Sequence, residues 1–232
     1  DRLLAGGLRE GQITEFFGAS PSGKTQVCHC VAACGAWLEF GVVYLTSNAS
    51  FSAERLIQLS RHVLKDQFGP TNEELVGNLG KLLTNVSVHQ PRDTLSLIAV
   101  LQTFLERFDS MQRHGLGDAV PKVLIVDSPS LLLYRDLSIN MGFGKLLMVQ
   151  LSSVLSCLAA KHDMFVVLTN HEVHSLHSSA AVGGMSGGGG SGSGVNTRHG
   201  LGVTWGNTCN VRVHLKQLQQ GQQQQQQQQG LD

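Results

Sequence analysis

The segment Gly18-Ala19-Ser20-Pro21-Ser22-Gly23-Lys24-Thr25 follows the pattern G-x-x-x-x-G-K-[ST], and its neighbours give that pattern structural meaning. An apolar, strand-like run, Gln12 to Phe17, leads into it, and an Ala- and Cys-rich helical run, Gln26 to Phe40, leads out. Strand, loop and helix in that order are the setting a phosphate-binding loop requires, and few other local structures share it. A glycine-rich turn before a core helix is the plainer alternative, and it does not account for Lys24 and Thr25. Gly18 and Gly23 allow backbone angles and close approaches that a Cβ would block. Successive N–H groups at the helix start then form an anion cradle from Gly18 to Thr25. In such a loop Lys24 reaches the β- and γ-phosphates, and the Thr25 hydroxyl ligates Mg²⁺.

A loop of this kind belongs in an α/β fold, and the rest of the chain alternates accordingly. Strands are expected at 12–17, 42–46, 86–89, 122–127, 165–169 and 211–215. Helices are expected at 26–40, from Ser50 or Ser52 to about Lys65, from the Thr71-x-x-Glu74 capping box to Leu79, from Asp93 or Thr94 to about Phe108, and at 144–162. Such alternation implies a mostly parallel twisted sheet with helices on both faces. Ligands in these sheets gather at the carboxyl ends of the strands. The loop, Asn48, Asp127 and Asn170 are all expected there.

The 232 residues suit one large domain or two small ones. Lys+Arg and Asp+Glu are both 17, so no global basic field draws in nucleic acid. No run of membrane-spanning length and apolarity is expected, and no membrane partner. No signal peptide is visible, and a chain opening at Asp1 reads as a fragment that starts at a domain edge. The five cysteines include Cys28, Cys30 and Cys34 on one helix, which points to small buried thiols in a reduced compartment. His29, among them, reads as a core or helix-surface histidine. Residues 178–197, rich in Gly and Ser, are expected to be a disordered loop, and 217–232, rich in Gln, a disordered tail, leaving 1–216 as the core.

Val123-Leu124-Ile125-Val126-Asp127-Ser128 is an apolar strand ending in a carboxylate, about a hundred residues after the loop. That is a Walker B arrangement, with Asp127 holding Mg²⁺ through water beside Thr25. A nucleotide hydrolase also needs a group that orients and deprotonates water. The expected position, after the second strand, carries Asn48, which hydrogen-bonds water but cannot take its proton. Loss of a general base costs roughly 10²–10⁴-fold, so slow hydrolysis is expected. His171-Glu172-x-His174-x-x-His177 has a metal-like look, but Ser175 breaks H-E-x-x-H and no partner ligands suggest themselves.

Several segments together resemble the eukaryotic RecA-like strand-exchange recombinases. These are Gly6-Gly7-Leu8 with Gly11-Gln12-Ile13-Thr14-Glu15, Gly23 to His29, Ser50-Phe51-x-x-Glu54-Arg55-Leu56, Leu124 to Ser128, Thr169-Asn170-His171, and Gly202-x-x-Trp205 with Arg212. The resemblance spans about residues 1–216 and is closest to the family's D-type paralogue, which has Asn at position 48 and His at 171 where the strand-exchange enzymes carry Glu and Gln. It implies a RecA-like P-loop core lacking the family's N-terminal helical domain. It also implies a nuclear protein of homologous recombination repair that binds ATP with Mg²⁺ and single-stranded DNA, and partners other recombinase paralogues. Lys24, Asn48 and His171 take the catalytic positions. Tyr134-Arg135-Asp136 matches the start of the first DNA-facing loop, making Arg135 a candidate phosphate contact, and Arg198 falls in the second. Ser52 replaces an Arg that lies near the adenine in the strand-exchange enzymes. Strands expected after Leu215 are replaced by Gln, so the sheet's last edge is expected to be incomplete.

The competing expectation is an active RecA-type motor, performing strand exchange or helicase-like work with DNA-stimulated turnover. Asn48 argues instead for a recombinase paralogue with weak ATPase. A P-loop small-molecule kinase would need a lid and an acceptor pocket, and neither has a sequence sign.

Overall fold

A computed structural model describes residues 4, 6–48, 50–69, 71–117, 120–174, 197–199, 201 and 205–217. The elements run β1 (Ile13–Gly18), α1 (Lys24–Trp37), β2 (Val42–Thr46), α2 (Ala53–Phe68), α3 (Asn72–Thr84), β3 (Val86–His89), α4 (Thr94–Arg113), β4 (Val123–Asp127), α5 (Pro129–Ile139), α6 (Met141–His162), β5 (Phe165–His174), β6 (Thr197–His199) and β7 (Val211–His214). The sheet order is β3-β2-β4-β5-β1-β7, with every neighbouring pair parallel. β6 lies off this path and pairs antiparallel with the end of β5. This is the predicted α/β, mostly parallel sheet. Among the described residues β7 pairs only with β1.

The period of two along the strands sorts the core into two layers. In β4, Leu124 and Val126 join Leu97, Leu101, Leu133, Leu151 and Leu155 from α4, α5 and α6. Val123 and Ile125 face the other way, against Cys28, Ala32 and Ala36 of α1 and Leu56 of α2. Every residue of β2 and β4 is buried, which is why both read as continuous apolar runs rather than alternating ones. Each buried Leu contributes about 1.5–3 kcal/mol relative to exposure. α1 lies close on the sheet because Gly35 has no side chain: a Cβ there would stand 3.0 Å from a Val123 methyl.

Helix starts follow their capping signals. Ser52 accepts from the Arg55 N–H, Thr71 and Glu74 form the predicted capping box, and Asp93 accepts from the Ser96 N–H. The ends run further than the sequence suggested, to Thr84 for α3 and Arg113 for α4, since no proline intervenes.

Two expectations need correction. The DNA-facing loop expected to begin at Tyr134-Arg135-Asp136 is helical there. α5 continues to Ile139, Asn140 caps the next helix by accepting from the Phe143 N–H, and α6 begins at Met141. Second, α6 is long and apolar enough, by length and composition, to cross a membrane. Here it is a core helix instead, with Leu147, Leu151, Leu155 and Leu158 buried in the layer described above. The Gly/Ser-rich loop, His177, Gly202 and the Gln tract beyond 217 lie outside the described residues.

Candidate nucleotide site

The loop between β1 and α1 sits at the carboxyl edge of the sheet, on the α1 side. Gly23 caps α1 in the left-handed region, φ 88°, which strains a residue with a Cβ. Gly18 is needed for another reason: a Cβ there would lie 2.2 Å from the Leu215 carbonyl oxygen. The backbone just past β7 therefore crosses the start of the loop, tied by Leu215 N–H donating to Phe17 O at 2.8 Å. The N-terminus of α1 faces a cavity of about 290 Å³, lined by the loop from Ser20 to Gln26 and by Asn48, Asp127, Ser128, Leu131 and His171. Exposed N–H groups and the positive end of the helix dipole make this an anion-binding geometry.

Lys24 is nearly buried, and its ammonium donates to Gly18 O at 2.9 Å, Ala19 O at 3.0 Å and Ser22 Oγ at 3.3 Å. It thus lies across the loop that would carry phosphate. Thr25 Oγ1 donates to Asp127 Oδ2 at 2.8 Å, joining residues 102 apart in sequence. Asp127 also accepts from Tyr44 OH at 3.1 Å, Ser50 Oγ at 3.3 Å and, on Oδ1, Thr169 Oγ1 at 2.6 Å. A hydroxyl and a carboxylate fit Mg²⁺, which prefers oxygen and takes few protein ligands, keeping water and phosphate oxygens for the rest. No group of three or more His, Cys, Asp or Glu suited to a metal occurs among the described residues, and His177 lies outside them.

Asn48 stands exposed at the cavity rim, its backbone and side-chain carbonyl oxygens both accepting from Thr46 Oγ1. Its amide N–H₂ is what remains to face a ligand. His171 ends the pairing of β5 with β1, directly opposite Gly18, and is half-buried. Burial, then the Lys24 charge, lowers its imidazole below the ordinary value, while Asp127 opposes this. The ring is accordingly neutral near pH 7.

The strand period separates Asn170 from this group. Thr169 and His171 face the α1 side, whereas Asn170 turns to the other layer and donates to Glu15 Oε1 at 2.8 Å. It ends a strand as expected but does not line the cavity. Arg135 is exposed in the middle of α5, one turn beyond Leu131, which does line it. Arg198 is placed only by its backbone, opposite Val173 on β6. His29 is a core histidine, as expected: Nδ1 is 2.8 Å from Thr25 O, and Nε2 accepts from the Ser52 N–H at 3.4 Å. Sequence reasoning missed Tyr44, Ser50 and Leu131 as neighbours of the site. Tyr44 carried a signal, a phenol inside an otherwise apolar buried strand, which needs a partner.

Comparison with known proteins places this geometry in a family. A profile described as Rad51 matches residues 1–189. Bos taurus "DNA repair protein RAD51 homolog 4" is 36% identical over 172 residues, covering 74% of this chain and 49% of the relative. Arabidopsis thaliana "DNA repair protein RAD51 homolog 1" is 31% identical over 196 residues, 79% of this chain and 50% of the relative. Mus musculus "DNA repair protein RAD51 homolog 2" is 29% identical over 237 residues, covering 94% and 64%. The chain thus spans about half the length of several curated relatives it matches. The crystal structure of the RadB recombinase shares the fold, with a TM-score of 0.65 at 20% identity over 94% of this chain and 80% of that one. With the matched profile covering most of its length, the chain belongs to the Rad51 family.

Proposed function

We propose that this chain is an ATP-binding DNA-repair protein, a recombinase paralogue that assists homologous recombination in the nucleus as part of a complex with other paralogues on single-stranded DNA. The observation that carries the reading is the Thr25–Asp127 hydrogen bond at 2.8 Å in a cavity framed by the α1 N-terminus, Lys24 and His171. The loop N–H groups bind and orient the phosphates, Lys24 exchanges its loop carbonyls for phosphate oxygens, and Thr25 with Asp127 holds Mg²⁺. These two residues would hold the metal, which would supply positive charge to offset that of the phosphates. Relatives named as DNA repair proteins support the cellular role. Arg135, exposed one turn beyond the cavity wall, is the candidate DNA phosphate contact on the described surface, and Arg198 joins it from β6.

Asn48 makes occupancy, rather than turnover, the expected output. Its amide donates to water but removes no proton. Neutral His171 lines the same cavity and supplies the remaining ring nitrogen able to accept a hydrogen bond. A weak, DNA-stimulated ATPase follows.

Equilibrium ATP binding and steady-state hydrolysis test this. Lys24→Ala is expected to weaken ATP binding roughly tenfold or more, as loss of a charged hydrogen-bond donor does. Retention of full affinity would sink the assignment. Asn48→Glu is expected to raise DNA-stimulated hydrolysis by a factor on the order of 10², and an already fast unmodified chain would favour the motor reading instead.

A further inference from the structure

We propose that Tyr44 is a positioning residue for the metal site: its buried hydroxyl fixes the metal-facing oxygen of Asp127 and so sets how readily the site takes Mg²⁺. This rests on the loop being an Mg²⁺–nucleotide site.

Tyr44 is fully buried in β2, and its register partner on β4 is Ile125, two residues before Asp127. The phenol therefore points to the same side of the sheet as the carboxylate and donates to Oδ2 at 3.1 Å. Its ring is held on two sides, by Phe51 at 4.9 Å between centroids and His29 at 5.6 Å. His29 is itself tied to the Thr25 carbonyl and the Ser52 N–H. Thr25, Cys28 and His29 fall at i, i+3 and i+4 of α1, so one helix face backs the tyrosine. The hydroxyl has little room to swing away.

A carboxylate has about four acceptor positions. Hydroxyls of Thr25, Tyr44, Ser50 and Thr169 approach them, and Ser50 makes the longest contact at 3.3 Å. Ser50 also touches Thr46 Oγ1 at 3.1 Å, so it has another partner when it leaves. It is the donor best placed to leave the carboxylate. Thr25, donating its proton to Asp127, would still have a lone pair to offer a metal. Tyr44 and Thr169 stay put and hold the two oxygens in place. Without the phenol, Oδ2 keeps only Thr25 and the yielding Ser50 as donors, so the carboxylate would be less firmly oriented toward a metal.

The test is Tyr44→Phe, which removes one oxygen and keeps the packing. Binding of a fluorescent ATP analogue is titrated against Mg²⁺, and repeated in EDTA. The Mg²⁺ concentration for half-maximal enhancement is expected to rise roughly tenfold, as for loss of other groups that orient metal ligands, with EDTA affinity changed by less than about twofold. A purely structural hydroxyl would lower the melting temperature without moving the Mg²⁺ midpoint, and that result overturns the proposal. Equal losses with and without Mg²⁺ overturn it too. If Tyr44→Phe fails to fold, Thr169→Val decides, with the same shift expected from the other oxygen. An unmodified chain that binds no nucleotide would overturn the site reading and this inference together. Normal binding with an unshifted midpoint in the variant overturns this inference alone.

Discussion

Glu15 shows what a single residue can bind together. It is fully buried in β1, and its carboxylate accepts from Asn170 Nδ2 at 2.8 Å, Trp205 Nε1 at 2.7 Å and Arg212 Nε at 2.8 Å. Arg212 also donates to the Trp205 and Gly206 carbonyls. One buried charge, fully hydrogen-bonded, thereby joins β1, β5, β7 and the segment between β6 and β7. Such a pair is weak evidence of net stabilisation, but breaking it strands a charge in the core. Arg212→Ala is expected to cost about 3–5 kcal/mol in urea unfolding, and Trp205→Phe about 1–2 kcal/mol with the lost donor. A cost below about 1 kcal/mol for Arg212→Ala would mean that the network is not holding this charge. Glu15, Trp205 and Arg212 stood out in the sequence only through family resemblance. Nothing local links positions 190 or more apart, so their meeting at one carboxylate had no sequence signal.

Among the elements, the α5–α6 pair departs most from expectation. A start signal was present: Ser128 then Pro129 place a proline at the first helical position, and Leu132 and Leu133 are buried beyond it. The two helices approach so closely at Gly144 that a Cβ would lie 2.7 Å from the Leu137 backbone nitrogen. Gly77 and Gly80 in α3 have open space around the same position. Gly→Ala therefore has opposite signs in the two places. Gly80→Ala is expected to stabilise by about 0.4–1 kcal/mol through helix propensity and a less flexible unfolded chain. Gly144→Ala is expected to destabilise by about 1–3 kcal/mol, since backbone has to move. Thermal or urea unfolding of both variants checks the contrast, and stabilisation by Gly144→Ala would show that the helices do not meet as described.

At the scale of the molecule, burial of histidines couples the fold to pH. His162, at the end of α6, is buried, and desolvation lowers its imidazole below the ordinary value while Asp109 opposes this. Its Nε2 lies 3.1 Å from Asp109 Oδ1 but misaligned for a hydrogen bond, with Lys161 holding the other carboxylate oxygen at 2.6 Å, so burial prevails. His171 is shifted the same way. A lowered folded value means that the unfolded chain takes up the proton first. Stability from both groups is thus full above about pH 6.5, the unfolded value, and declines as pH falls from there toward the folded values. Urea midpoints are expected to be lower at pH 5.5 than at pH 7.5, and His162→Gln to reduce that difference; a midpoint that does not fall at pH 5.5 would contradict it. The strand–loop–helix, the two buried strands and the capping boxes were readable because period, turn residues and caps act within a few positions of the chain. The loop, Lys24, Thr25, Asp127 and Asn48 were readable for the same reason. The Glu15 network, the phenol behind Asp127, the crossing of Leu215 over Gly18 and the contact of α5 with α6 come from strand order and helix approach. Those depend on long-range packing, where residues far apart in sequence compete for the same space.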